Sequence, residues 1–129
     1  MKKNGILNAQ LAYSIARLGH TDLLVVCDAG LPIPFGPEVV DLAFQLGVPS
    51  FEVVLLGLLD ELVIESATAA WEVEEQNSVI CELLKSRFPD LDLTSHEDFK
   101  RLTARAKLVV RTGEATPYSN VILRCGVPF

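Results

Sequence analysis

The sequence predicts an α/β fold, a single domain of three layers with helices on both faces of a mostly parallel sheet. Three observations predict it. Short continuous apolar runs, such as Leu23-Leu24-Val25-Val26-Cys27 and Val121-Ile122-Leu123, have the character of strands buried on both faces. Helical stretches with recognisable caps alternate with them, as crossover helices do. The 129 residues, half apolar and 22% charged, can bury a real core, and no linker, repeat or low-complexity tract divides them.

The elements follow in order. Asn8 can cap a helix running through Leu11, Ile15 and Leu18, with Gly19 as the left-handed residue that ends it. Leu23–Cys27 reads as a buried parallel strand that stops at Asp28-Ala29-Gly30, and two prolines make residues 31–34 an extended loop. Residues 39–44 lean towards strand. Ser50 caps a helix to about residue 61, residues 62–65 read as a strand, and Asn77 caps a helix ending near Phe88. Residues 91–94 alternate as a strand does. Ser95 through Asp98 has the serine-to-carboxylate spacing of a capping box, opening a helix to about Ala106. Leu108–Arg111 and Val121–Cys125 are the last two strands.

A net charge of −6, with no more than two Lys or Arg in a row, lacks the basic footprint that nucleic acid or an anionic membrane requires. A neutral metabolite suits this surface better. Lys2 and Lys3 are followed by no apolar h-region, and the longest apolar runs fall far short of a membrane span. Three cysteines without CxxC spacing argue against a disulfide framework or zinc ribbon, and point to a reducing cytoplasm. Cys27 and Cys125 lie in apolar runs, where Cys is more often a small buried hydrophobe than a nucleophile. Mean hydropathy is high, at +0.33. Either the sheet is covered on both faces or another subunit covers apolar surface.

Polar residues gather at the ends of apolar runs, where α/β sheets place ligands. Asp28 ends a strand, the position a site would use, although taken alone it reads rather as a turn aspartate bonding its own backbone before Gly30. His20 follows a glycine at a helix end and could be a mere dipole partner. His96 could be simply the first helical residue after its serine cap. Tyr118 and Asn120, two apart, would share one side of an extended segment, where phenol and amide could read sugar hydroxyls. No GxSxG, Walker or GxGxxG pattern occurs, and no HxH or HxxxH spacing joins the histidines to Asp28 as metal ligands. Neither cofactor nor metal is expected.

Taken together these pieces resemble a known family. Leu18-Gly19-His20-Thr21-Asp22, followed by Val26-Cys27-Asp28-Ala29-Gly30-Leu31-Pro32-Ile33-Pro34, closely resembles the start of the D-ribose pyranases. Gly47-Val48-Pro49-Ser50-Phe51, Thr94-Ser95-His96-Glu97, Arg111-Thr112-Gly113-Glu114, Pro117-Tyr118-Ser119-Asn120 and Cys125-Gly126-Val127-Pro128-Phe129 continue the likeness to the end of the chain. Fucose mutarotases are similar around Gly19-His20 but differ after Asp28-Ala29. The resemblance implies interconversion of the pyranose and furanose forms of D-ribose without metal or nucleotide. It implies His20 as the acid/base and Asp28, His96, Tyr118 and Asn120 as sugar contacts. It also implies a homo-oligomer of two stacked rings of five, with sites at subunit interfaces. The alternatives are a mutarotase for another sugar such as L-fucose, or a non-catalytic sugar-binding accessory protein.

Overall fold

The computed structural model describes residues 1–129 and arranges them as α1 (Ala9–Ala16), β1 (Leu23–Cys27), β2 (Glu38–Asp41), α2 (Phe51–Leu59), β3 (Ile64–Ala70), α3 (Val73–Gln76), α4 (Ser78–Arg87), β4 (Asp92–Thr94), α5 (His96–Thr103), β5 (Leu108–Arg111) and β6 (Val121–Cys125). All four expected caps form. Asn8, Ser50, Asn77 and Ser95 each accept a backbone N–H from three residues on, at 2.9–3.3 Å. The reciprocal half of the capping box does not form, because Asp98 pairs with Arg101 instead of reaching back to Ser95.

The six strands lie in the order β2-β5-β1-β6-β3-β4. Only β6 runs antiparallel to its neighbours; β2–β5, β5–β1 and β3–β4 are parallel. Helices α1, α2 and α4 pack on one face against Leu24, Val26, Leu108, Val110, Val121 and Leu123. Helix α5 covers the other face, with Phe99 buried among Val25, Val109 and Ile122. Phe51, Leu55 and Leu58 of α2 are fully buried, each worth about 1.5–3 kcal/mol of apolar transfer. The expected three layers are present.

Three local expectations are corrected. The α1 helix closes at Ala16 with Arg17 in right-handed conformation, and Gly19 is not left-handed; Thr21 is, at φ 68°. Strand β3 runs to Ala70, well past the expected residues 62–65; its Ser-Ala-Thr-Ala-Ala stretch carries weak β propensity and so does not by itself read as strand. Tertiary pairing with β6 and β4 overrides that propensity, and Ala67 and Ala69 are buried in the core. Residues 42–44 leave the sheet after Asp41, into a turn whose Gln45 and Val48 bridge to each other.

That turn presses on the segment after β5. A Cβ on Gly113 would stand 2.2 Å from the Val48 carbonyl oxygen and 2.6 Å from that of Gln45. Both are backbone atoms, so they cannot swing aside. Gly113→Ala is expected to destabilise the fold by about 1–3 kcal/mol, the usual cost of overpacking. Thermal unfolding checks it, and a wild-type midpoint would contradict the close approach.

Candidate active site

Because β6 is antiparallel to β1, the residues before β6 meet the residues after β1. There a cleft of about 670 Å³ opens, lined among others by Asp28, His96, Arg111, Glu114, Tyr118 and Asn120. Four of the five candidate residues therefore converge from three separate stretches of chain.

Asp28 and Asn120 form a reciprocal pair. The Asp28 N–H donates to Asn120 Oδ1 and Asn120 Nδ2 donates to Asp28 Oδ2, both at 2.9 Å. The other Asp28 oxygen accepts the N–H groups of Gly30 and Leu31 at 2.9 and 2.8 Å. The turn reading of Asp28 is thus correct, yet the carboxylate also faces the cleft. An ionised carboxylate offers about four lone-pair positions and an amide two N–H groups, so each side chain keeps hydrogen-bonding capacity beyond this pairing. Asn120 itself is 2% exposed.

Tyr118 does not lie in an extended segment. It sits in a turn with φ 57°, so strand alternation is not what brings it near Asn120; the turn folds its ring back over the cleft. The ring stands edge-on to His96, with centroids 5.2 Å apart and planes at 88°. His96 occupies the first position of α5, as its serine cap suggested, and stacks near Phe99 at 6.4 Å. Its Nδ1 is buried without a hydrogen-bond partner in the chain. A buried polar atom left unpaired is costly unless something else satisfies it.

The walls are built by residues that sequence reading left without a role. Arg111 donates twice to the Ala29 carbonyl, at 3.1 and 2.9 Å, and pairs with Asp41 at 2.8 Å, fixing the loop after Asp28. Glu114 accepts the N–H groups of Phe51, Ala115 and Thr116 and the Thr116 hydroxyl. Burial pushes the Glu114 carboxyl up, but these bonds, led by the Phe51 N–H, outweigh it and hold the group below its usual value. Asn77 caps α4 and also donates to Thr116, Pro117 and Ser119, tying the helix to the Tyr118 turn. The polar cluster from Arg111 to Glu114 was visible as a sequence feature, but its partners lie up to 85 residues away.

His20 stands elsewhere. It precedes β1 whereas Asp28 follows it, so five strand residues, about 17 Å of strand, separate the two ends. At that far end the His20 turn is stitched to β6: Thr21 N–H donates to the Cys125 carbonyl, and Cys125 N–H to that of Asp22, both at 2.9 Å. Asp22 accepts the Gly19 N–H at 2.7 Å and pairs with Lys107 at 2.7 Å. The Lys107 contact, then the Gly19 N–H, holds its carboxyl below the usual value. One chain by itself does not bring His20 to the cleft.

The thiols contribute no nucleophile. Burial pushes Cys27 up to about 12, and all three cysteines are buried and unpaired. No three His, Cys, Asp or Glu side chains are grouped to hold a metal ion, and no helix is long and apolar enough to cross a membrane.

A model of the RbsD / FucU transport protein family matches residues 1–128. The chain is similar to D-ribose pyranase 1 of Rubrobacter xylanophilus, with 68% identity over 129 residues that span all of both proteins. It is also similar to the structure of Bacillus subtilis RbsD complexed with D-ribose, at 46% identity and a TM-score of 0.95 over the whole of both chains. The fucose mutarotase of Streptococcus pneumoniae, solved with L-fucose, superimposes at a TM-score of 0.77 over 95% of each chain. At 21% identity that is a likeness of fold alone.

Two outcomes follow from this geometry. Thr21 is exposed, β-branched and left-handed, so Thr21→Asn is expected to raise stability by about 1 kcal/mol in chemical denaturation. Glu114 has a depressed folded-state value, so its contribution is present above the unfolded carboxylate range and lost as pH falls through the folded one. Amide exchange at Phe51, Ala115 and Thr116 should accelerate, relative to the core, only on acidification below about pH 4. Glu114→Gln should remove that acid dependence; if it persists, Glu114 is not its source.

Proposed function

The chain belongs to the RbsD / FucU transport protein family, and from that premise we propose that it is a D-ribose pyranase, an intramolecular isomerase interconverting the β-pyranose and β-furanose forms of D-ribose. The observation that carries this reading is the cleft. It offers unused hydrogen-bonding capacity on Asp28, His96, Tyr118 and Asn120, in a chain 68% identical throughout to a D-ribose pyranase. Its volume of about 670 Å³ lies within the range of small-molecule sites.

Changing ring size requires opening the hemiacetal. The anomeric hydroxyl gives up its proton, the bond from the anomeric carbon to the ring oxygen breaks, and that oxygen takes a proton. A different hydroxyl then attacks the resulting aldehyde, and the two proton transfers run in reverse. Histidine, which can accept and donate near neutrality, suits both steps, and a positioned acid/base contributes about 10²–10⁴-fold. No nucleophile or electron sink is needed. In this reading His20 moves the protons. Asp28 and Asn120, held against each other, bind hydroxyls; Tyr118 and the unpaired His96 Nδ1 bind the remainder.

His20 reaches the sugar from a second copy of the chain. Its separation from the cleft supports this, as do Phe35, Phe44 and Leu46, which stand 79% exposed or more. We take the assembly to be two stacked rings of five, as the family resemblance implies. A cytoplasmic location fits three buried, unpaired thiols.

Two-dimensional exchange NMR on D-ribose tests the activity, with L-fucose in parallel to test the sugar. His20 is exposed, so His20→Ala should keep the wild-type circular dichroism while slowing catalysed exchange by about 10²-fold or more. Near wild-type exchange would refute its role. Site sharing has its own test. His20→Ala and His96→Ala, each inactive alone, should regain about a quarter of wild-type activity when co-assembled, because contacts in a closed ring run head to tail. No recovery in mixed assemblies would place the whole site within one chain.

A further inference from the structure

Strands β3 and β6 pair out of step at one position. Ile64 lies opposite Cys125, but the next pair is Ser66 with Arg124, which leaves Glu65 as an extra, unpaired residue on β3. A bulge of this kind bends the strand and re-aims the side chain it carries. Here it directs the Glu65 carboxylate at the His20 turn. Glu65 Oε2 lies 3.0 Å from His20 Nε2, and Glu65 Oε1 forms an ion pair with Arg124, 2.8 Å from its Nε. The ring therefore ends a row of three, Arg124 to Glu65 to His20. Each end of the row is anchored separately, Arg124 by the β6 ladder and His20 by a turn that holds Thr21 left-handed.

We propose that Glu65 is the positioning residue for His20: it accepts the Nε2 proton, fixes the ring, and leaves Nδ1 as the nitrogen that meets the sugar. This rests on the reading of His20 as the acid/base. A neutral imidazole carries one N–H and one lone pair, so a carboxylate at Nε2 requires the proton there and the lone pair on Nδ1. When Nδ1 takes the proton of the anomeric hydroxyl, the imidazolium forms against an existing negative charge. That interaction strengthens only as the reaction proceeds, so it lowers the barrier more than it tightens binding. The anomeric hydroxyl and the ring oxygen share one carbon, so a single fixed nitrogen can take a proton from the first and return it to the second.

Arg124 gives the assignment a distinctive signature. Its guanidinium is cationic and carries donors only, so the atom facing it is an oxygen. In Glu65→Gln the amide oxygen must stay on Arg124, which turns the amide NH₂ towards His20. The ring is then driven into the opposite tautomer, with its proton on Nδ1. An orienting acid replaced by its amide costs up to about 10⁴ in a buried triad by this same route. For this half-exposed row we expect kcat to fall about a hundredfold in Glu65→Gln and about tenfold in Glu65→Ala, with KM within about twofold. The double variant Glu65→Gln, Arg124→Leu frees the amide to turn its oxygen to His20 and should recover part of the loss.

Exchange NMR gives kcat and KM for these variants, and long-range ¹H–¹⁵N correlation on the ring reports which nitrogen of His20 is protonated. The expected result is Nε2–H in the wild type, Nδ1–H in Glu65→Gln, and kcat ordered wild type, Glu65→Ala, Glu65→Gln. A Glu65→Gln variant with wild-type kcat, or with only KM changed, overturns the proposal while His20→Ala remains inactive. If His20→Ala is itself active, it is the acid/base reading that falls, and the positioning role falls with it.

Discussion

The antiparallel placement of β6 between β1 and β3 is the constraint on which the rest of the molecule depends. In an all-parallel sheet the residues before one strand lie at the opposite edge from the residues after its neighbour. Reversing one central strand brings them together at both ends. At one end Asn120 meets Asp28, and the four hydrogen bonds on Asp28 join two loops into a rigid cleft floor. At the other end Arg124 and Cys125 meet Glu65 and the His20 turn. The cleft floor and the His20 turn are both arranged by this strand.

Strand β1 keeps them apart. His20 and Asp28 flank β1, and a strand is stiff, so no side-chain motion closes the distance between them. The proposed assembly of identical chains would resolve this without any rearrangement of the fold, since a head-to-tail contact sets one end of the sheet against the other end of a neighbour. The exposed apolar side chains around residues 35–48 and the high mean hydropathy agree with a surface meant to be covered.

The polar groups within the cleft are almost all held by backbone rather than by other charges. Glu114 and Asp28 accept main-chain N–H groups, and Arg111 donates to a main-chain carbonyl. Such contacts fix the loops largely through main-chain groups, and the side chains facing the cleft offer both donors and acceptors to a neutral sugar's hydroxyls. His96 Nδ1 is the one buried side-chain atom left unpaired, and it lies in the wall of the same cleft.

The sequence by itself determined the local structure. The caps at Asn8, Ser50, Asn77 and Ser95 and the strands Leu23–Cys27, Leu108–Arg111 and Val121–Cys125 were legible because each depends on residues within four positions of one another. The motifs around His20, Asp28, His96 and Tyr118 could be matched to a family for the same reason: their order along the chain is enough. What tertiary structure alone decided is everything that pairs distant residues. It extended β3 through alanines, put Thr21 rather than Gly19 in the left-handed region, and turned Tyr118 out of an extended path. It also gave His20 its partner Glu65, 45 residues away, through a bulge that no local pattern announces. Register between strands is set by packing over the whole sheet, and a single unpaired residue redirects a side chain, so neither could be read from neighbours in the chain.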